Sequence, residues 1–293
     1  MTSTIQTSDR ADERQSDSVD LLMTELRDRC GLKREAVLER KVASLVRQQN
    51  VKDLRCRLDD LLGRPTHDPR WLSFVDAVTV HETYFFRDPN QLDVLSASLL
   101  PELIARKREE GDRGLSIWSA GCSSGEEAYT VAILVQDALN EAGEDLAAWN
   151  LRLLGSDVSR AMVSIAEKAV YGGPGLDAFR QLPPGRDVWF ERLPDDAHRR
   201  RVRAGLRVVV RFEQHNLMDD LPPVRDVDLA LCRNVFMYLD ADAQRRAVQV
   251  LHKALKSEGL LLLGVTDRLE EGSGFARAAT GTAVVYVKNG SSQ

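Results

Sequence analysis

The chain has 293 residues, 43% hydrophobic and 29% charged, which supports one large domain or two modest ones with a real core and excludes a wholly disordered chain. Forty Lys and Arg against 45 Asp and Glu, a net charge of -5, exclude a surface built throughout for nucleic acid or an anionic membrane. The total conceals a local excess, because residues 21–64 hold eleven basic side chains against seven acidic ones while the segments on either side are net acidic.

The first 18 residues are polar, rich in Ser, Thr and Asp, and lack the apolar run of a secretory signal. They are expected to form a disordered tail, because they bury too little to offset the entropy of ordering them. A helical domain over residues 19–88 follows. Leu21, Leu22 and Leu26 form one apolar stripe that Gly31 ends, and Leu38, Val42, Leu45 and Val46 form a second at helical spacing, with Arg40, Ser44 and Arg47 on the far face. Leu54 to Leu62 and Trp71 to Val80 complete the domain, separated by the turn at Gly63 and Pro65. Residues 89–114 read as a linker helix and a charged connector.

From Leu115 the texture changes to alternating strand and helix. LSIWSA, LRLLGSD, LRVVVRFEQ, DVDLALC and GLLLLGV read as strands, and TAVVYVK as an antiparallel edge strand. Amphipathic helices fall between them, EEAYTVAILVQDALNEA, SRAMVSIAEKAVY and AQRRAVQVLHKALK. Short Val- and Leu-rich strands separated by helices predict an α/β fold, a doubly wound parallel sheet over residues 115–290. Residues 172–207, interrupted by Pro and Gly, read as an insertion. Cys30, Cys56, Cys122 and Cys232 form no C-x-x-C pair, so no metal site and no disulfide framework is expected, and a reducing cytoplasmic setting fits. No stretch approaches the length of a membrane span.

In such a sheet, ligands bind beyond the carboxyl ends of the strands. The first strand is followed by GCSSG and the acidic pair Glu126 and Glu127, with Gly121 allowing close approach to the backbone. The glycine pattern of a dinucleotide site is absent, and two acids at a helix start suit a cationic or uncharged ligand rather than a pyrophosphate. Asp157, after the second strand, is placed to accept from ribose hydroxyls, although it also suits a cap for the helix starting at Ser159. Asn216 and Leu217 follow the third strand; Arg233 and Asn234 follow the fourth, where Arg233 also fits a structural ion pair. Together these features fit S-adenosylmethionine. Outside the sheet, HETYFFRDP at residues 81–89 places aromatics and Arg87 before a proline stop, which equally suits glue between two domains.

HETYFFRDP, WSAGCSSGEEAYT, GSDVS, HNL and CRNVFMYLD, in this order, resemble the chemotaxis receptor methyltransferases, the CheR family. The resemblance covers roughly residues 21–290. It implies a Rossmann-like S-adenosylmethionine-dependent methyltransferase domain with a small inserted β-subdomain, preceded by a small all-α domain. It implies transfer of a methyl group to glutamate side chains of methyl-accepting chemoreceptor cytoplasmic domains, with S-adenosylhomocysteine as product. His81, Thr83, Arg87, Gly121, Glu126, Glu127, Asp157, Asn216, Leu217, Arg233 and Asn234 would bind the cofactor, and Arg87 and Tyr238 would act at the methyl-transfer site. Arg40, Lys41 and Arg47 would meet the receptor.

Some positions depart from the family pattern. His81 stands where relatives often carry Asn, Ala128 replaces a common Pro, and Ser159 replaces a second acid. The inserted stretch ERLPDDAHRRRVRAG lacks the glycine expansion of relatives that grip a tethering peptide, so a tether-independent enzyme is expected. A monomer is expected as well. The alternative is a signalling module that binds S-adenosylmethionine without transferring methyl groups.

Overall fold

The computed structural model describes residues 2–49, 51–173, 177–278 and 283–290. Helix α1 runs from Thr2 to Cys30, so the expected tail is helical; no Gly or Pro interrupts this stretch. Helices α2 (Ala36–Arg47), α3 (Val51–Leu62) and α4 (Pro69–Val78) pack against it around Leu26, Val42, Trp71 and Val75. The start of α4 is fixed by Asp68, which accepts from the Arg70 N–H, and by Pro69, whose missing N–H costs nothing there.

Helix α5 (Pro89–Val94), a π turn (Leu95–Leu99) and α6 (Leu100–Glu109) form one interrupted rod. Its Leu95, Leu99, Leu100, Leu103 and Ile104 are buried in the core of the sheet domain. Residues 89–109 are therefore a wall of that domain rather than a linker, because an apolar stripe this continuous must be covered. The segment expected to close the helical domain also belongs here. Phe85 and Phe86 are buried in the same core, and Phe85 packs on Tyr171, Phe179 and Phe190.

The main sheet is built from β1 (Gly114–Ala120), β2 (Asn150–Asp157) and further strands later in the chain; helix α7 (Glu126–Glu141) follows β1 and α8 (Arg160–Lys168) follows β2. Ala169 ends α8 in the left-handed region, and the chain enters a small antiparallel sheet of β3 (Val170–Gly172), β4 (Phe190–Leu193) and β5 (Asp196–Val202). The long strand expected from Leu206 starts only at Val210, after the single helical turn α9 (Ala204–Arg207), giving β6 (Val210–Gln214). Strand β7 (Val227–Cys232), helix α10 (Ala241–Ala254), β8 (Leu255–Leu263), β9 (Phe275–Arg277) and β10 (Val284–Lys288) complete the domain.

Among the described residues the strand order is β6-β2-β1-β7-β8-β10-β9. The first five strands are parallel, while β10 runs antiparallel to β8 and β9 to β10. Strand β7 is buried throughout, which is why it reads as a continuous apolar run. The order reverses between β1 and β7, opening a crevice beyond their carboxyl ends.

The helical domain closes over that crevice and is held by main-chain bonds. The Lys33 N–H donates to the Tyr238 carbonyl (2.9 Å), the Asp240 N–H donates to the Gly31 carbonyl (3.0 Å), and Leu32 pairs with Leu239. Gly31 has φ +70°, and a Cβ there would lie 2.4 Å from the Ala243 Cβ, so only glycine lets the two domains meet this closely.

Candidate functional site

A cavity of about 320 Å³ lies in the crevice, floored by the strand ends and roofed by the helical domain. Its floor begins at Gly121, whose φ of +73° and close approach to Val235 (2.4 Å from a Cβ built there) exclude any side chain. The turn then brings the Ser123 N–H to 2.8 Å from Asp157 Oδ2, while the Ser159 N–H reaches Asp157 Oδ1 at 2.9 Å. Asp157 thus lines the cavity and also secures the start of α8. Burial pushes its carboxyl pKa up, opposed by these two donors.

The two adjacent glutamates face different ways. Glu127 lines the cavity, accepting from Ser119 Oγ (2.7 Å) and from Arg233 Nη1 (2.9 Å). Glu126 does not line the cavity; it is buried, accepts from Ser124 Oγ (2.7 Å), and burial raises its pKa to about 7. The expectation that Glu126 also touches the ligand is therefore not matched by its position. Successive helical residues point about 100° apart, and the roll that buries α7 against the sheet turns Glu126 inward.

Arg233 realises the structural ion pair. Its side chain is only 2% exposed, and besides Glu127 it donates to Gln91 Oε1 (2.8 Å), to the Arg87 carbonyl (2.7 Å) and, more weakly, to Asp88 Oδ2 (3.4 Å). Beside it Asn234 adopts φ +58° at the cavity wall. Asn216 also lines the cavity, but its side chain joins the two domains: Nδ2 donates to the Arg29 carbonyl (2.7 Å) and Oδ1 accepts from the Met218 N–H (3.0 Å).

Thr83, Leu217, His81, Arg87 and Tyr238 line the same cavity. The His81 ring contacts Thr79 Oγ1 (2.9 Å), and Arg87 Nη1 donates to the Glu82 carbonyl (2.5 Å). Burial raises the Tyr238 hydroxyl pKa, and the Arg87 charge acts against that rise, which puts the two within electrostatic reach. Arg40, Lys41 and Arg47 lie outside the cavity, on α2. Arg40 and Arg47 are exposed, whereas Lys41 is half-buried with Nζ donating to the Thr79 carbonyl (2.7 Å).

Sequence reasoning missed Ser123, His215, Lys33, Glu35 and Tyr84, all of which line the cavity. Ser123 sits inside the quoted GCSSG turn and His215 inside HNL, so proximity to a motif was the available signal. Lys33 and Glu35 lie between two helices with no motif near them. Ser123 Oγ and His215 Nδ1 are buried without a hydrogen-bond partner in the protein. Unpartnered polar atoms beside a cavity that is also lined by the carboxylates of Glu35, Glu82, Glu127 and Asp157 and has no phosphate-binding turn fit a ligand carrying a positive charge and polar nucleoside groups, as S-adenosylmethionine does.

An open sheet with acids and a glycine turn beyond its strand ends suits an S-adenosylmethionine-dependent methyltransferase, and a family match over residues 81–285 places this chain in that class. Residues 81–285 match the family model described as "CheR methyltransferase, SAM binding domain". The chain is 31% identical to chemotaxis protein methyltransferase 1 of Pseudomonas aeruginosa over 82% of its length and 84% of that protein's. It is 27% identical to the chemotaxis protein methyltransferase of Borreliella burgdorferi, covering 81% of each. It is also 35% identical to the probable biofilm formation methyltransferase WspC of Pseudomonas putida, over 83% of this chain and 54% of that one. The protein belongs to the CheR methyltransferase family.

Proposed function

We propose that this protein transfers a methyl group from S-adenosylmethionine to glutamate side chains of chemoreceptor cytoplasmic domains, leaving methyl esters, and that it does so in the cytoplasm. The observation that carries this reading is the meeting of Arg87 and Tyr238 in the same cavity as Glu127 and Asp157, with a roof formed by a separate helical domain.

The bound cofactor supplies an electrophilic methyl group on a positively charged sulfur. Glu127 and Asp157 give the cavity negative potential that suits this charge, and Asp157 retains lone pairs for ribose hydroxyls. Gly121 allows the ligand to lie against the backbone, and Thr83, Leu217 and Asn234 complete the walls. Arg233 acts at one remove, fixing the Glu127 carboxylate. The acceptor carboxylate is ionised near neutral pH and is itself the nucleophile, so the site requires no general base. Arg87 orients that carboxylate through its guanidinium, and the Tyr238 hydroxyl lines its path. With cofactor and acceptor filling the cavity, the roof keeps bulk water from the reacting atoms, so orientation and desolvation supply most of the acceleration.

Arg40 and Arg47 on the exposed face of α2 meet the acidic helices of the receptor, and Lys41, anchored to Thr79, contributes charge from behind them. The short hairpin of β4 and β5 supports activity that needs no receptor tether. Incubation with labelled S-adenosylmethionine and receptor cytoplasmic fragments should yield base-labile methyl esters; tight cofactor binding with no ester on any fragment would instead favour a signalling module without transferase activity.

A further inference from the structure

Two ion pairs stand at the mouth of the cavity, one from each domain. Lys33 Nζ lies 2.9 Å from Glu35 Oε1 between α1 and α2, and both residues line the cavity. From the inserted region, Arg180 Nη2 lies 2.7 Å from Glu82 Oε1, and its guanidinium carbon sits 3.7 Å from the centre of the Tyr84 ring. Glu82 and Tyr84 line the cavity, and the main chain beside Arg180 is fixed by the bond from the Phe85 N–H to the Ala178 carbonyl (2.9 Å).

Unlike the Arg233 cluster, these pairs remain open to solvent. The Lys33 and Glu35 side chains are 39% and 44% exposed, those of Arg180 and Glu82 28% and 50%. Pairs so exposed are weak, and their cations can change partner with little loss. The acids nevertheless act on the reaction centre, since the charges of Glu82 and Glu35 both raise the Tyr238 hydroxyl pKa while that of Arg87 lowers it. Two carboxylates from different domains thus share the cavity with the hydroxyl near which an acceptor carboxylate would have to arrive, within electrostatic reach of it.

We propose that Arg180 and Lys33 select the acceptor, held in the free enzyme by the resident acids Glu82 and Glu35 until a glutamate-bearing acidic helix takes the acids' place. This rests on the proposed function above. A neutral acceptor gains nothing from two closed pairs, whereas an acidic one exchanges carboxylate for carboxylate and adds its own hydrogen bonds.

The test uses the full-length protein and a receptor cytoplasmic fragment, with initial rates measured against fragment concentration at low and high ionic strength. Binding of S-adenosylhomocysteine is followed in parallel by calorimetry. Arg180→Gln and Lys33→Gln should each raise KM for the fragment about threefold to fivefold at low ionic strength, less at high, the range expected for exposed charge pairs. Arg180→Lys should restore most of the loss. Glu82→Gln and Glu35→Gln should lower KM, because each removes a competing anion, and S-adenosylhomocysteine affinity should stay within about twofold in the Arg180 variants, whose side chain is not part of the cavity lining. An unchanged KM in both cation variants overturns the inference, as does a raised KM in the acid variants, which would make the pairs braces rather than occupants. Failure of the wild-type protein to methylate any fragment overturns the function and this inference together; methylation with unaltered KM in the variants overturns the inference alone.

Discussion

Replacing Arg233 with methionine removes the charge at the centre of the site while keeping most of the side chain's volume. In the folded protein the guanidinium serves Gln91, Glu127, the Arg87 carbonyl and Asp88. Without it, Glu127 keeps only the Ser119 hydroxyl and Gln91 Oε1 loses its donor. Breaking a buried pair from one side costs about 3–5 kcal/mol. Here the lower end applies, about 3 kcal/mol, since the Glu127 side chain retains 13% exposure and water in the cavity can reach it. Urea unfolding followed by tryptophan fluorescence, with no cofactor present, should register that loss as a lowered midpoint at unchanged slope. Arg233→Lys, which keeps a charge but not the planar fork, should fall between. Adding Glu127→Gln to Arg233→Met should recover part of the loss, because the stranded carboxylate is then neutral. A cost below about 1 kcal/mol for Arg233→Met, or strict additivity in the double variant, would refute the account of Arg233 as the buried keystone of the site.

Glu126 predicts a pH effect of defined sign. Its pKa is about 7 when folded against an ordinary 4.5, so the folded state holds a proton that the unfolded state releases, and stability falls as pH rises between those values, by about 3 kcal/mol in all. Glu126→Gln should abolish that slope and be the more stable protein above pH 7, and equal pH profiles for both would count against it. Gly31→Ala forces a Cβ to within 2.4 Å of the Ala243 Cβ at a φ of +70°; it should lower the thermal midpoint and weaken S-adenosylhomocysteine binding together, by about 2 kcal/mol or more in stability. Charge reversal at Arg40 and Arg47 should slow receptor methylation more at low salt than at high, and slowing that ignores salt would remove α2 as a steering surface.

The periodicity of burial was readable without coordinates. Leu115 to Ala120 and Val227 to Cys232 announce buried parallel strands, and the polar residues after each one mark the ligand end of the sheet. Those signals are local: a strand's face repeats every two residues, a helix's every three to four, and a turn's glycine is demanded by its own backbone. The motif string around 81–89, 121–127, 157, 216–217 and 233–238 therefore pointed to the methyltransferase family and to the residues at the strand ends that line the cavity.

What the tertiary structure alone decided is which of those residues are free to meet a ligand. Asn216 ties its amide to a carbonyl 187 positions earlier, and Arg233 reaches Gln91 across 142 positions. The roll of α7 separates Glu126 from Glu127. Lys33, Glu35 and Arg180 reach the cavity mouth because the helical domain and the insertion fold back over the sheet. Hydrogen bonding and desolvation depend on distances between segments remote in the chain, and no local pattern of residues encodes those distances.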